Sequence, residues 1–331
     1  MPWSLRSLLL LLAVASVSWR NEPSPLKLVQ TIPLDGVKGR IDHMAADVDG
    51  RRLYVAALGN DTMEVIDLAA GKRVGSVAGL KKPTGIRVLP GSRNVVVASA
   101  DDGKVRLFTP DLKLIAAVDG LDDADNVRLD PAGEFVYVGY GDGAVAVIDA
   151  QRFTKVADVQ LGGHPESFQL EASGNRIFAN VPTRKNVTVI DRQTRTVIAT
   201  WPLGEAEANF PMALDEQANR LFVGCRKPPK VIVIDTRTGK AMTSIDCCGD
   251  ADDLFFDAQG KTLYVSGGAG RIDAIKQERP DEYRLLGSVS TSNGARTSLY
   301  VPEMSLLFVA IPARAGQQAE VRAYRVGAAQ K

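Results

Sequence analysis

The chain has 331 residues, 45% of them apolar and 6% aromatic, with 40 Lys and Arg against 39 Asp and Glu, a formal net charge of +1. That apolar share supports a large core, and near-neutrality without a Lys/Arg block gives no basis for nucleic acid or an anionic membrane as partner. No G-x-S-x-G, H-E-x-x-H, P-loop or Rossmann fingerprint occurs, so none of those catalytic or nucleotide-binding classes has motif support.

The first twenty residues differ in kind from the rest. Arg6 supplies a positive start, Leu8 to Val17 is a short apolar run, and small residues follow at Ala13-Val14-Ala15 and Ser16-Val17-Ser18. This reads as a secretory signal peptide over residues 1–20, leaving 21–331 as one domain. An uncleaved anchor is the competing reading, although the run is short for a membrane span. Cleavage near Trp19 to Ser24 predicts a periplasmic or secreted protein with no stable membrane span.

Next comes Leu26 to Leu34 (LKLVQTIPL), a strand-like segment with nothing of its own to pair with. After it a short apolar strand recurs seven times: Leu53-Tyr54-Val55-Ala56, Val95-Val96-Val97-Ala98, Val136-Tyr137-Val138-Gly139, Ile177-Phe178-Ala179-Asn180, Leu221-Phe222-Val223-Gly224, Leu263-Tyr264-Val265-Ser266 and Leu307-Phe308-Val309-Ala310. Their first residues lie 42, 41, 41, 44, 42 and 44 apart. A period in the low forties, all strand and no helix, predicts an all-β, seven-bladed β-propeller with four-stranded blades. Each anchor reads as a blade's second strand, preceded by a polar turn such as Pro131-Ala132-Gly133-Glu134 and followed by a third strand such as Val231-Ile232-Val233-Ile234-Asp235. An Asp six residues before the anchor (Asp47, Asp130, Asp215, Asp257) reads as turn structure. The seventh unit lacks a fourth strand after Glu320 to Val326. Leu26 to Leu34 resembles the fourth strand Thr154 to Leu161, so the N-terminal strand is expected to complete the last blade and close the ring.

Registering the repeats locates the channel mouth. The positions eleven and ten residues before each anchor begin the inner strands: Asp42/His43, Thr84/Gly85, Asp125/Asn126, Glu166/Ser167, Phe210/Pro211, Asp252/Asp253 and Arg296/Thr297. Arg40, His164 and Asn209 flank them. The candidate ligand-binding set is therefore Arg40, Asp42, His43, Asp125, Asn126, His164, Glu166, Asn209, Asp252, Asp253 and Arg296. Carboxylates and imidazoles together suit a divalent metal ion, clustered carboxylates raise one another's pKa, and the arginines suit a carboxylate or phosphate. The competing reading is a wet polar channel with Asp satisfying turn amides. Arg184, Lys185, Arg226, Lys227 and Arg314 form a basic rim on the same face, read as solvated charge or as a complement to an anionic ligand or partner protein. Cys225 and Cys247 end the second and fourth strands of one blade, so a bridge from Cys225 to Cys247 or Cys248 is an open expectation in an oxidising compartment.

The Leu-Tyr-Val-Ala and Leu-Tyr-Val-Ser anchors, the V-x-V-I-D third strands, and strings such as Gly39-Arg40-Ile41-Asp42-His43-Met44 and His164-Pro165-Glu166-Ser167-Phe168 resemble the YVTN-type, YncE-like propeller repeat proteins of bacteria over residues 26–326. The resemblance implies a seven-bladed, extracytoplasmic protein and assigns no reaction; no lactonase motif matches residue by residue. Three readings follow: a propeller that binds a small ligand or partner protein at the channel-mouth face; a metal-assisted, lactonase-like hydrolase or lyase using the mouth carboxylates and histidines; and a structural scaffold.

Overall fold

Alternation along the anchor strands dictates how the blades pack. In the first blade Leu53 and Val55 face one neighbour while Tyr54 and Ala56 face the other, and all four are fully buried. Successive side chains of a strand point to opposite faces, so each blade buries both faces against its neighbours. The computed structural model describes residues 24–327; the signal segment expected over residues 1–20 lies outside the described residues. Within them, the strands form seven four-stranded antiparallel sheets, each built from consecutive strands except the one that closes the ring. Seven apolar clusters fill the seven blade interfaces. No helix among these residues is long and apolar enough to cross a membrane.

The ring closes as the sequence predicts. Leu26–Pro33 pairs antiparallel with Glu320–Val326, setting Ile32 opposite Val321 and Leu26 opposite Val326. Ile32 and Leu34 are fully buried in the cluster that joins the last blade to the first. Thr297 Oγ1 of the last blade also donates to the Ile41 carbonyl at 3.2 Å.

The inner strands are Met44–Asp47, Pro83–Val88, Val127–Leu129, Phe168–Leu170, Glu207–Asp215, Ala251–Asp257 and Ser298–Val301. Their far ends turn on the recurrent Asp: Asp130 Oδ1 accepts from the Glu134 and Phe135 amides, and Asp47, Asp215 and Asp257 accept from Gly50, Ala218 and Gln259. These aspartates are turn structure, as expected.

The three cysteines depart from the open bridge expectation: all are free and buried. Cys225 shares strand parity with Leu221 and Val223 and faces the preceding blade, whereas Cys247 and Cys248 pack toward the following blade with Phe222. The sheet itself stands between the sulfurs, so ending at the same rim does not bring them together.

If the N-terminal strand is what shuts the ring, Ile32→Ala is expected to cost about 2–5 kcal/mol, while Val29→Ala on the exposed side of the same strand stays within about 0.5 kcal/mol. Denaturant unfolding of the two variants checks this, and equal effects would contradict it.

Candidate functional site at the channel mouth

The start of the inner strand is bulged in the first six blades. Asp42 N donates to the Ala56 carbonyl and Ala56 N to the His43 carbonyl, so two residues oppose one. The pattern repeats with Asp125 and Asn126 against Gly139, and with Glu166 and Ser167 against Asn180. Register shifts mark the same place between Pro83 and Ile86, Asn209 and Met212, and Ala251 and Asp253. A bulge re-aims side chains and sharpens local twist. Here it lets both members of a pair, Asp42 with His43 and Asp252 with Asp253, reach the axis region. Gly85 occupies this place in the second blade because the Asp125 carbonyl would lie 2.2 Å from any Cβ there.

The bulges bring together Arg40, Asp42, His43, Asp125, Asn126, Glu166, Ser167, Phe210 and Asp252 around a cavity of about 20 Å³, room for about one water-sized group. Asp253 lies just inside. Three of the five carboxylates are committed to the protein's own cations. Arg40 Nη2 lies 2.8 Å from Asp42. His43 stands between Asp42 (Nε2 to Oδ1, 3.6 Å) and Asp253 (Nδ1 to Oδ1, 3.7 Å), distances of ion pairs rather than formed hydrogen bonds. Asp253 also accepts from the Ser298 amide at 2.7 Å. Arg226 binds Asp252, donates to the Ala251 carbonyl at 2.8 Å, and lies 3.7 Å over the Phe210 ring. Among the described residues, Asp125 and Glu166 find no side-chain hydrogen bond or ion pair, and the buried Oδ1 of Asn126 has no donor.

The remaining candidates lie outside this cavity. His164 turns its Nδ1 to the Gly141 carbonyl at 2.7 Å and sits 3.6 Å from Asp123. Arg296 pairs with Asp250 at 2.8 Å on the outer flank. Asn209 is wholly buried between blades, its amide donating to Asn180 Oδ1 and the Asn186 carbonyl. The divalent-ion expectation finds no support in the side-chain geometry: among the described residues no three His, Cys, Asp or Glu side chains are grouped so as to hold a metal ion. The carboxylates that could have formed such a group are turned to Arg40, His43 and Arg226 instead.

No protein-family model matches the chain. Over 145 residues it is 26% identical to the uncharacterized protein YncE of Salmonella typhimurium, and equally to that of Salmonella typhi, matching 42% of this chain and 40% of each relative. The chain thus spans less than half the length of the curated relatives it matches. The chain is a seven-bladed β-propeller that is similar to YncE over that stretch. The hydrazine synthase of Kuenenia stuttgartiensis superposes with a TM-score of 0.76 over 88% of this chain and 98% of that chain, at 19% identity, which is a likeness of fold alone.

In this propeller the mouth has more carboxylates than cations. Burial, then the charge of Asp42, lifts Asp125 to about 7; burial, then Asp252, lifts Glu166 to about 7. Burial alone would lower His43, but Asp253 and Asp42 overcome it and raise the imidazole to about 10, so it is a cation at neutral pH. Arg226 was legible in the sequence only as rim charge, because it is 26 positions from Asp252; the signal available was its place on the loop facing the next blade's mouth position.

A raised carboxylate pKa means the folded state holds its proton more tightly than the unfolded chain. Stability therefore falls as pH rises from about 4 to about 7 on account of Asp125 and Glu166. The His43 contribution, also a raised pKa, is complete below about 6.5 and is lost only as pH climbs through about 10. The double variant Asp125→Asn/Glu166→Gln is expected to exceed the parent in stability at pH 8 by about 1–3 kcal/mol. The gap should close by pH 4. Thermal unfolding across that range checks it, and a gap that does not change with pH would contradict the assignment.

Proposed function

We propose that this is an extracytoplasmic binding propeller whose channel mouth receives a primary ammonium group, carried by a small ligand or by a lysine of a partner protein. The observation that carries the reading is the pair of unpaired carboxylates, Asp125 and Glu166, in a cluster whose other acids already have cations. The donor-less Asn126 Oδ1 supports it, since an ammonium group brings three donors to one point. The cavity of about 20 Å³ fits a group of that size. Charge-assisted hydrogen bonds to carboxylates in a partly desolvated mouth are the strong kind, and the extracytoplasmic placement rests on the N-terminal twenty residues.

Two carboxylates near neutrality also support a second reading, acid–base chemistry without a metal, in a hydrolase or lyase. Turnover of a lactone panel that is lost in Asp125→Asn/Glu166→Gln would favour it.

Titration calorimetry with ethylammonium and benzylammonium, against the neutral comparators ethanol and benzyl alcohol, tests the binding reading. The amines are expected to bind and to weaken at least tenfold in Asp125→Asn/Glu166→Gln. Affinity should rise between pH 5.5 and 8.5 as the two carboxylates ionise. Amine binding that is independent of pH and of the substitutions would refute the site.

A further inference from the structure

Beneath the mouth the channel widens into a cavity of about 620 Å³, within the ~300–1,000 Å³ range of small-molecule sites. His43 and Ser167 line both spaces and separate them. The larger cavity runs from His43 and Asp253 to Asp49, Gly91 and Glu303, so it opens at the opposite face of the ring.

One ring position decides the character of this cavity. The inner-strand residue paired with the second anchor residue is Ala45 in the first blade, then Arg87, Arg128, Gln169, Ala213, Phe255 and Leu299. Two consecutive blades thus place arginines side by side at one level, with Gln169 next to them, while Ala45, Leu299 and Phe255 line the other side.

The two arginines lack counterions. Arg87 reaches solvent in the lumen and makes no hydrogen bond or ion pair with the described residues. Arg128 donates to its neighbour's Val127 carbonyl at 3.0 Å, reaches Ser167 Oγ at 3.5 Å, and leans over the Phe168 ring. Most of their N–H donors therefore have no protein acceptor. Of the four carboxylates that border the cavity, Asp253 is committed to His43 and the Ser298 amide and Asp47 to Arg93 and the Gly50 amide, while Asp49 and Glu303 form no ion pair with either arginine. Burial, and then the charge of Arg87, depress Arg128 to about 10, and burial depresses Arg87 as well. Neighbouring, like-charged guanidiniums with free donors in one channel are an arrangement that an anion relieves, because it supplies acceptors to both forks at once.

We propose that the channel is a second binding site, for a small organic anion whose carboxylate or phosphate sits between Arg87 and Arg128 and whose apolar part lies along Leu299 and Phe255. The site opens on the face opposite the mouth and stands whether or not the mouth binds an ammonium group. Its apolar wall distinguishes it from a site for inorganic anions alone.

Benzoate and phenyl phosphate, with benzyl alcohol as the uncharged comparator, are the probes, titrated calorimetrically into the full mature chain. Both anions are expected to bind, and benzyl alcohol at least tenfold more weakly. Arg87→Gln/Arg128→Gln is expected to weaken the anions at least tenfold while its ligand-free melting temperature stays equal to or above that of the parent, since two repelling charges are gone. Arg87→Gln alone removes no hydrogen bond of the fold and is expected to weaken binding at least fivefold, which keeps the test decisive should the double variant fold poorly. Asp125→Asn/Glu166→Gln removes negative charge that acts on Arg128 and should not weaken benzoate. No binding of either anion by the parent, equal binding of benzyl alcohol, or anion affinity untouched by the arginine substitutions would each overturn the proposal.

Discussion

One strand pairing holds the ring shut. Leu26–Pro33 lies against Glu320–Val326, and every other contact near the axis presupposes it. Without this strand the last blade would expose an unpaired edge and the first would lose the apolar face that receives Ile32 and Leu34. With it, seven inner strands are held at equal stations around one axis. Residues that share a phase then share a level in the channel.

That geometry produces two levels of opposite character. At the mouth, bulges bring five carboxylates toward the axis, and Arg40, His43 and Arg226 answer only part of their charge. One step down, in-register arginines of neighbouring blades leave positive charge unanswered, since Asp253 and Asp47 are engaged. His43 and Ser167 form the partition. A buried charge without a partner is costly, and keeping two opposite imbalances a few residues apart without letting them cancel requires a rigid frame between them. The blade-to-blade hydrogen bonds supply it: Thr84 Oγ1 to the Ala124 carbonyl, Gln169 to the Met212 carbonyl, and Asn180 to the Phe210 carbonyl.

The period of the anchors made the fold, the blade count and the closing strand legible, because each depends on backbone pairing that repeats. The same phase argument brought Asp42, His43, Asp125, Glu166 and Asp252 to one opening. What it could not read was direction. Asn209 lies one residue before the mouth position, yet its amide is consumed by Asn180 and Asn186 of the neighbouring blade. His164 is drawn to a backbone carbonyl, and Arg296 to Asp250. Arg226 was out of reach because its partner comes from the next blade, and Arg87 and Arg128 because their level carries Ala, Phe and Leu in other blades, so no recurring charge marks it. The cysteines show the same limit: strand ends can share a rim while the side chains face opposite sides of the sheet.

The central claim is that the mouth holds two carboxylates without cations of their own. Carbon-13 NMR of the Asp125 and Glu166 side-chain carboxyls through a pH titration tests it most directly, with the substituted variants for assignment. Both resonances are predicted to titrate near 7, well above an ordinary carboxylate, and to move to lower pH when benzylammonium is added. Titration of both near 4, unmoved by the amine, would contradict it.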